Sequence, residues 1–293
     1  MADGVFVGLS TIDIVYAVDE FPTANSKVTA RSQEVFVGGP ATNAAITFAH
    51  LGGGSTLVTT VGSHSLTDTI AKEARLLSIN LLDLNPNFAD TPVISSIAVN
   101  PSGERNVVSA NAVRVPIPPP KVDEAILQKS SFVLVDGHYM QACQAWAASA
   151  HDRKVRVVFD GGSWKEGTAD LLQHVTTAIC SQDFLPPGCT SEDDVVAYLQ
   201  GQGVVNIAIT RGTAPIRFLS NAASGSISVP QVEAVDTMGA GDIFHGAFCF
   251  FTSEGKGFVE SLGDAANIAA ESCRYRGTRE WMKHLPAESP VAP

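Results

Sequence analysis

The sequence predicts an α/β protein: a doubly wound, mainly parallel sheet with a small β-sheet elaboration. Three observations carry that reading. Short apolar runs alternate with helical patterns through the second half of the chain, as βαβ units require. Two glycine turns, at Gly38-Gly39 and at Gly239-Ala240-Gly241, lead straight into apolar helical stretches. Strand-like segments within 14–37 and 93–110 stand outside the alternation and form the small sheet.

The elements follow in order. Val5-Phe6-Val7-Gly8-Leu9 is apolar throughout, as a strand covered on both faces must be. Ile14–Val18 and Lys27–Val37 read as more exposed strands around a loop at Phe21-Pro22-Thr23. Pro40 suits the first turn of a helix that runs through the Ala-rich stretch to Leu51. Ser55–Val61 reads as a strand. Leu66–Leu77 reads as an amphipathic helix with Leu66, Ile70, Ala74 and Leu77 on one face. Val93–Val99 and Asn106–Ala110 flank Asn100-Pro101-Ser102-Gly103-Glu104, a hairpin signal. Pro116–Pro120 is a stiff linker in polyproline geometry. Beyond it, strands at Phe132–Val135, Val155–Phe159, Ala178–Cys180 and Val204–Thr210 alternate with helices at Gln141–His151, Asp170–Val175 and Glu192–Gln202. Phe218–Asn221 and Ser226–Val229 make a surface hairpin. Helices cover Ala240–Thr252 and Phe258–Ser272, and a Pro-rich tail from Pro286 is loose. The 293 residues then divide into an α/β domain (1–13, 38–92 and 111–293) and a small sheet (14–37 and 93–110).

Charge excludes some functions. Nineteen Lys and Arg stand against thirty Asp and Glu, a net charge of −11, so an extended polyanion such as nucleic acid or an anionic membrane is not the expected partner. A small anion is still allowed, because backbone amides bind phosphate without net positive charge. Five cysteines without a C-x-x-C pair read as buried free thiols rather than a disulfide or zinc framework. No basic stretch precedes the first apolar run and no stretch is long enough to span a bilayer, so a cytoplasmic protein is expected.

The strongest chemical constellation is Asp236-Thr237-Met238-Gly239-Ala240-Gly241-Asp242, between a strand-like run and an apolar helix. Gly239 and Gly241 let a ligand approach the backbone closely. The following amides sit at a helix N-terminus, where free N–H groups favour an anion. Asp242 in the first turn can take the proton of a hydroxyl attacking phosphorus. Alone, the same residues also fit a turn followed by an ordinary helix-start carboxylate. Neither a G-x-G-x-x-G fingerprint nor a Walker A loop is present.

The D-T-x-G-A-G-D signature ahead of an apolar helix resembles the C-terminal signature of the ribokinase family, also called PfkB carbohydrate kinases. Gly38-Gly39 with Asn43 resembles that family's first signature, and the likeness covers nearly the whole chain. The resemblance implies a ribokinase-like α/β domain with a β-sheet lid, and transfer of the ATP γ-phosphoryl group to a sugar hydroxyl. By position, Asp242 resembles the catalytic base, and Gly239, Ala240 and Gly241 with the Asp242 amide resemble the anion hole. Asp13, placed at the end of the first strand, resembles the acid that binds sugar hydroxyls. Gly38, Gly39 and Asn43 resemble the sugar-contacting turn, and Arg105 in the lid is a further candidate for substrate.

On the nucleotide side, Thr210-Arg211-Gly212 resembles the loop passing the phosphates, with Arg211 either a phosphate contact or a solvated cation. Asn267 resembles a wall residue of the adenine pocket or is a solvent-facing Asn, and Gly277-Thr278 resembles the turn closing that pocket. ATP and Mg²⁺ are the implied cofactors, with K⁺ left open. The family's N-x-x-E motif is replaced here by Ser181-Gln182-Asp183-Phe184, a departure similar to the ketohexokinase branch. That puts metal handling in doubt and leaves Asp183 as the candidate on the metal side. His64, His138 and His245 lack metal spacing. Asp136, His138, Asp160 and Lys165 fall at strand ends, where open α/β sheets place ligands. A homodimer through the lid edges is a further expectation. Two other functions stay open: a nucleoside or hydroxymethylpyrimidine kinase of the same fold, and a non-catalytic sugar sensor.

Overall fold

The computed structural model describes residues 2–112, 115–221 and 223–285; the Pro-rich tail from Pro286 lies outside them. Among the described residues thirteen strands run in chain order. The first seven are β1 (Asp3–Val7), β2 (Thr11–Ala17), β3 (Ser32–Gly38), β4 (Gly54–Thr59), β5 (Asn80–Asp83), β6 (Ile94–Val99) and β7 (Arg105–Ser109). The rest are β8 (Ser130–Val135), β9 (Arg156–Gly161), β10 (Thr177–Ser181), β11 (Asn206–Arg211), β12 (Ala214–Ser220) and β13 (Ala223–Ile227). The helices are α1 (Pro40–His50), α2 (Asp68–Leu76), α3 (Glu124–Leu127), α4 (Met140–Asp152), α5 (Thr168–Leu172), α6 (Glu192–Gly201), α7 (Ala240–Ser253) and α8 (Phe258–Ser272).

Nine strands form one sheet in the order β13-β12-β11-β10-β9-β8-β1-β4-β5. From β11 to β5 every neighbour is parallel, and β12 and β13 close one edge antiparallel. Alternate side chains feed two cores. Val5, Val7, Val133 and Val135 face the layer of α4, α5 and α6. Phe6, Phe132 and Leu134 face α1, α7 and α8. On that second face Phe6, Phe48 and Phe132 meet at ring-centroid distances of 5.1–5.5 Å. The chain winds outward from β1 through β4 to β5, and in the other direction from β8 to β11. The strand order therefore reverses between β1 and β8, and the C-terminal ends of those strands open the crevice where such sheets bind ligands.

The second sheet has the order β3-β2-β6-β7, with β2 and β6 parallel and both outer pairs antiparallel. It is lightly covered: every residue of β7 is exposed. Several elements differ from the sequence reading; the surface hairpin, for one, runs over Ala214–Ser220 and Ala223–Ile227. Asp13 lies inside β2 rather than at the end of the first strand, because the chain bends at Gly8 and enters the small sheet at Thr11. The strand read from Lys27 begins at Ser32. The helix read from Leu66 starts as a 3₁₀ turn, Ser65–Thr67, because His64 Nδ1 accepts the Leu66 amide. The short β5 and α3 carry too few residues for a periodic signal, although Asp123 caps α3 on two amides.

Candidate active site

The site grows from the N-terminus of α7. Gly239 precedes it with φ +70°, and no side chain caps the helix. Its first-turn amides therefore lack the usual side-chain partner and point outward. A Cβ at Gly239 would lie 2.7 Å from Thr278 Cγ2 and 3.3 Å from Asn43 Nδ2, so only glycine lets the turn pass there. Asp236 builds this turn. Its Oδ1 accepts the Met238 amide and its Oδ2 accepts the Gly277 amide, each at 2.9 Å. The carbonyl of Cys273 accepts the amides of Val235 and Asp236, which binds the turn to the loop after α8. Thr278 in that loop is buried, and its hydroxyl has no protein partner.

Asp242 is half-buried in the first turn of α7, and its Oδ2 accepts a 2.7 Å hydrogen bond from Asn43 Nδ2. Asn43 is buried near the start of α1, whose Pro40 and the Gly38-Gly39 turn bring it to the crevice. Its carboxamide is oriented by Arg279, which donates to Asn43 Oδ1 at 2.9 Å. The same guanidinium donates to Glu73 at 2.6 Å, to the Val37 carbonyl at 2.8 Å and to the Thr278 carbonyl at 3.1 Å. One side chain thus joins α1, α2, the end of β3 and the loop after α8. Nothing in the sequence singles out Arg279; its partners are 206 and 236 positions away.

Asp242 is pushed up to about 7. Burial is the main cause and the nearby Asp160 carboxylate the second; the Asn43 hydrogen bond and His245 work against them. Asp160 is itself raised by burial. Burial also opposes the charge of Asp136, yet His138 at 3.3 Å and the Leu9 and His138 amides hold its carboxyl below the usual range. Asp136 Oδ2 also accepts the Ala41 amide at 3.1 Å, so this residue anchors the start of α1 at the strand-order reversal.

Asp13 faces the crevice from the small sheet. Burial raises it, opposed by the hydroxyls of Thr11 and Ser95 and the charge of Arg279. Its carboxylate fills the space beside Gly38 where a side chain would stand. Arg105, on exposed β7, donates to Thr237 Oγ1 at 3.1 Å, so the small sheet touches the turn before α7.

A cavity of about 250 Å³ runs from the α7 N-terminus, at Thr237, Ala240 and Gly241, to an apolar wall of Ile216, Val229, Phe244 and Ala270. Thr210 and Gly212 line it. Arg211 does not: it donates to the Pro215 carbonyl and pairs with Glu192 at 3.7 Å. Asn267 is exposed, and α8 turns Ala266, Ala269 and Ala270 into the cavity instead; they lie about 100°, 160° and 60° round the helix from it. Gly277 acts through Asp236. Asp183 is exposed, with its amide on Ser181 Oγ. Lys165 is half-buried and donates to the Asp136 and Ser163 carbonyls at 3.4 and 3.3 Å.

The chain matches the pfkB family carbohydrate kinase model over residues 1–285. An ATP-dependent ribose-1-phosphate kinase from Halopiger xanaduensis is 25% identical over 293 residues, covering 96% of this chain and 93% of that protein. A ribokinase from Bacillus subtilis is 24% identical, covering 94% of each. Among solved structures, the ribokinase of Thermotoga maritima superposes with a TM-score of 0.80 at 24% identity, covering 97% of this chain and 98% of that one. The ribokinase of Arabidopsis thaliana, solved with ribose and ATP, gives 0.77 at 20% identity over 97% of this chain and 99% of that one. The structural likeness fixes the ribokinase-type α/β fold, and the family match spans both sheets and the turn before α7. The chain belongs to the pfkB family of carbohydrate kinases.

Proposed function

We propose that this chain transfers the γ-phosphoryl group of ATP to a primary hydroxyl of a sugar, with Asp242 as general base. The observation that carries the reading is a carboxylate in the first turn of an uncapped helix, held by Asn43 where that helix borders an apolar cavity; burial and Asp160 raise it to about 7. The cavity suits an adenine ring, and Thr210 and Gly212 face its nucleotide. The sugar lies between Asp13, the Gly38-Gly39 turn and Asn43, which together supply acceptors and donors for vicinal hydroxyls. As the hydroxyl attacks phosphorus in line, its proton passes to Asp242. A base near the working pH is both available and strong enough for that task. Amides from Gly239 to Asp242 receive the charge that develops on the phosphoryl oxygens.

The small sheet acts as a lid that excludes water, with Arg105 its contact to the phosphate turn. Among the described residues no group of three or more His, Cys, Asp or Glu side chains could cage a metal. Mg²⁺, when bound with the nucleotide, would neutralise phosphate charge. The exposed edge strand β7, with Val107 and Val108 outward, supports pairing of two lids in a homodimer. Among the described residues no helix is long and apolar enough to cross a membrane.

ADP release measured over a panel of pentoses, ketohexoses, sugar phosphates, sugar acids and nucleosides tests the reading and names the acceptor. Turnover with one sugar class, lowered about 10²–10⁴-fold in Asp242→Asn, is the expected result. ATP binding without turnover on any acceptor would instead favour a sensor.

A further inference from the structure

His245 lies on α7 one turn beyond Asp242 and is only 5% exposed. Its Nδ1 stands 2.7 Å from the Gly241 carbonyl oxygen and 3.5 Å from Asp160 Oδ2. Its Nε2 stands 3.1 Å from the Ile179 carbonyl oxygen, in the middle of β10. All three neighbours are oxygens that carbonyl and carboxylate groups offer as acceptors. A neutral imidazole has one N–H and one lone pair. Either tautomer would aim that lone pair at a backbone carbonyl, leaving a buried acceptor facing an acceptor. Only the doubly protonated ring donates on both sides, and it brings its own counter-ion in Asp160.

We infer that His245 is held as an imidazolium ion, paired with Asp160, and that this buried charge positions the electrostatics of phosphoryl transfer from behind the anion hole. The inference rests on Asp242 being the base. The charged groups around the ring are few. Asp160 faces it from β9, and Asp242 shares its helix. Asp136 stands at the end of β8, with His138 and Lys165 beyond it on the same rim. Three carboxylates thus meet below one crevice. The imidazolium balances Asp160, so that Asp242 is opposed by less negative charge when it ionises. It also donates to the carbonyl of Gly241, a residue of the anion-hole turn itself. His245 touches no substrate in this arrangement; it acts through Gly241, Asp160 and Asp242.

Nitrogen NMR on the histidine-labelled, nucleotide-free protein decides the protonation directly. In the folded protein both ring nitrogens of His245 should carry protons. A ring with one bare nitrogen there overturns the proposal. The resonance is assigned from its loss in His245→Gln or, should that variant not fold, by elimination against the other histidines, of which the chain has seven in all. A second readout is the pH profile of kcat/KM. Removing a positive charge near a carboxylate raises its pKa, so the acid limb of His245→Gln should move up by roughly one pH unit, about tenfold in activity on that limb. A folded variant with an unmoved limb would show that the ring has no electrostatic role. If Asp242→Asn keeps its turnover, the base assignment fails, whereas the NMR result on His245 is unaffected.

Discussion

The two sheets approach one crevice with opposite constructions. The large sheet is covered on both faces, and its strand ends and α7 hold Asp136, Asp160 and Asp242 among buried neighbours. The small sheet offers Asp13 and Arg105 from strands of which one is exposed along its whole length. Burial raises both Asp13 and Asp242, but the surroundings then diverge. Hydroxyls of Thr11 and Ser95 and the charge of Arg279 work against the rise at Asp13. A second carboxylate adds to the rise at Asp242. The first setting suits an anion that accepts hydrogen bonds from a polyol. The second suits a group that must take up a proton and give it back.

Substituting each carboxylate by its amide should separate the two roles, and this is the largest expected effect. Asp242→Asn keeps the shape and removes the proton acceptor, so kcat should fall by about 10²–10⁴ with KM little changed. Asp13→Asn should mainly raise KM, by roughly 10–100-fold, because hydrogen bonds to a charged group are worth about 1.5–3 kcal/mol. Steady-state kinetics on both variants would break the contrast if the two lost kcat equally.

Arg279 bridges the two constructions, since it touches the end of β3 and the carboxamide that faces Asp242. Arg279→Ala should lower kcat by about 10–100-fold, the scale expected when a positioning contact is lost. Lysine should not rescue it, because one ammonium cannot match a planar fork that reaches four acceptors. Its acid limb should also move up in pH, since the Asn43 hydrogen bond that lowers Asp242 would loosen. A pure packing defect would leave that limb in place.

A raised carboxylate also has a cost in stability, with a definite sign. The folded state holds the proton of Asp242 up to about 7, whereas the unfolded chain releases it near 3.8. The folded state therefore binds more protons between those values, and stability falls as pH rises through that window. Asp242→Asn should remove this loss. Its Tm should exceed the parent's by several degrees at alkaline pH, since a rise from 3.8 to about 7 corresponds to about 4 kcal/mol. The two Tm values should converge at acid pH, below both pKa values. Equal Tm values throughout would show that the carboxylate is not destabilised by its surroundings.

Legibility in the sequence followed the same division. The large sheet was readable because each strand is a short apolar run between helical patterns, and because α7 and α8 carry strong local signals. The Gly239–Asp242 turn was readable for the same reason: its chemistry is built from adjacent residues. What escaped was made by distance in sequence. Asp136 meets Ala41 across 95 positions and Arg279 meets Asn43 across 236. Family resemblance places Asn267 at the cavity wall, with a solvent-facing Asn as the alternative, and helical phase sends Ala266 and Ala270 inward. Arg211 looked free because its partner Glu192 lies on the preceding helix. A conspicuous cation in a loop is weak grounds for a phosphate contact until its carboxylates are known.

Arg105 gives the smallest expected effect and the sharpest test of the small sheet as a lid. Its guanidinium is exposed and makes one hydrogen bond to Thr237, a contact worth little while the crevice is open to water. If the sheet closes over the reacting groups, that contact gains strength as water leaves. Arg105→Ala should then raise the KM for ATP by about 3–10-fold, corresponding to roughly 1 kcal/mol, and should increase ATP hydrolysis without acceptor. The hydrolysis readout matters most. A surface arginine that only attracts nucleotide would change KM alone, whereas a residue that holds a lid shut would also let water compete with the sugar. An unchanged ratio of hydrolysis to sugar phosphorylation would leave the small sheet as a substrate wall and remove its role as a closure.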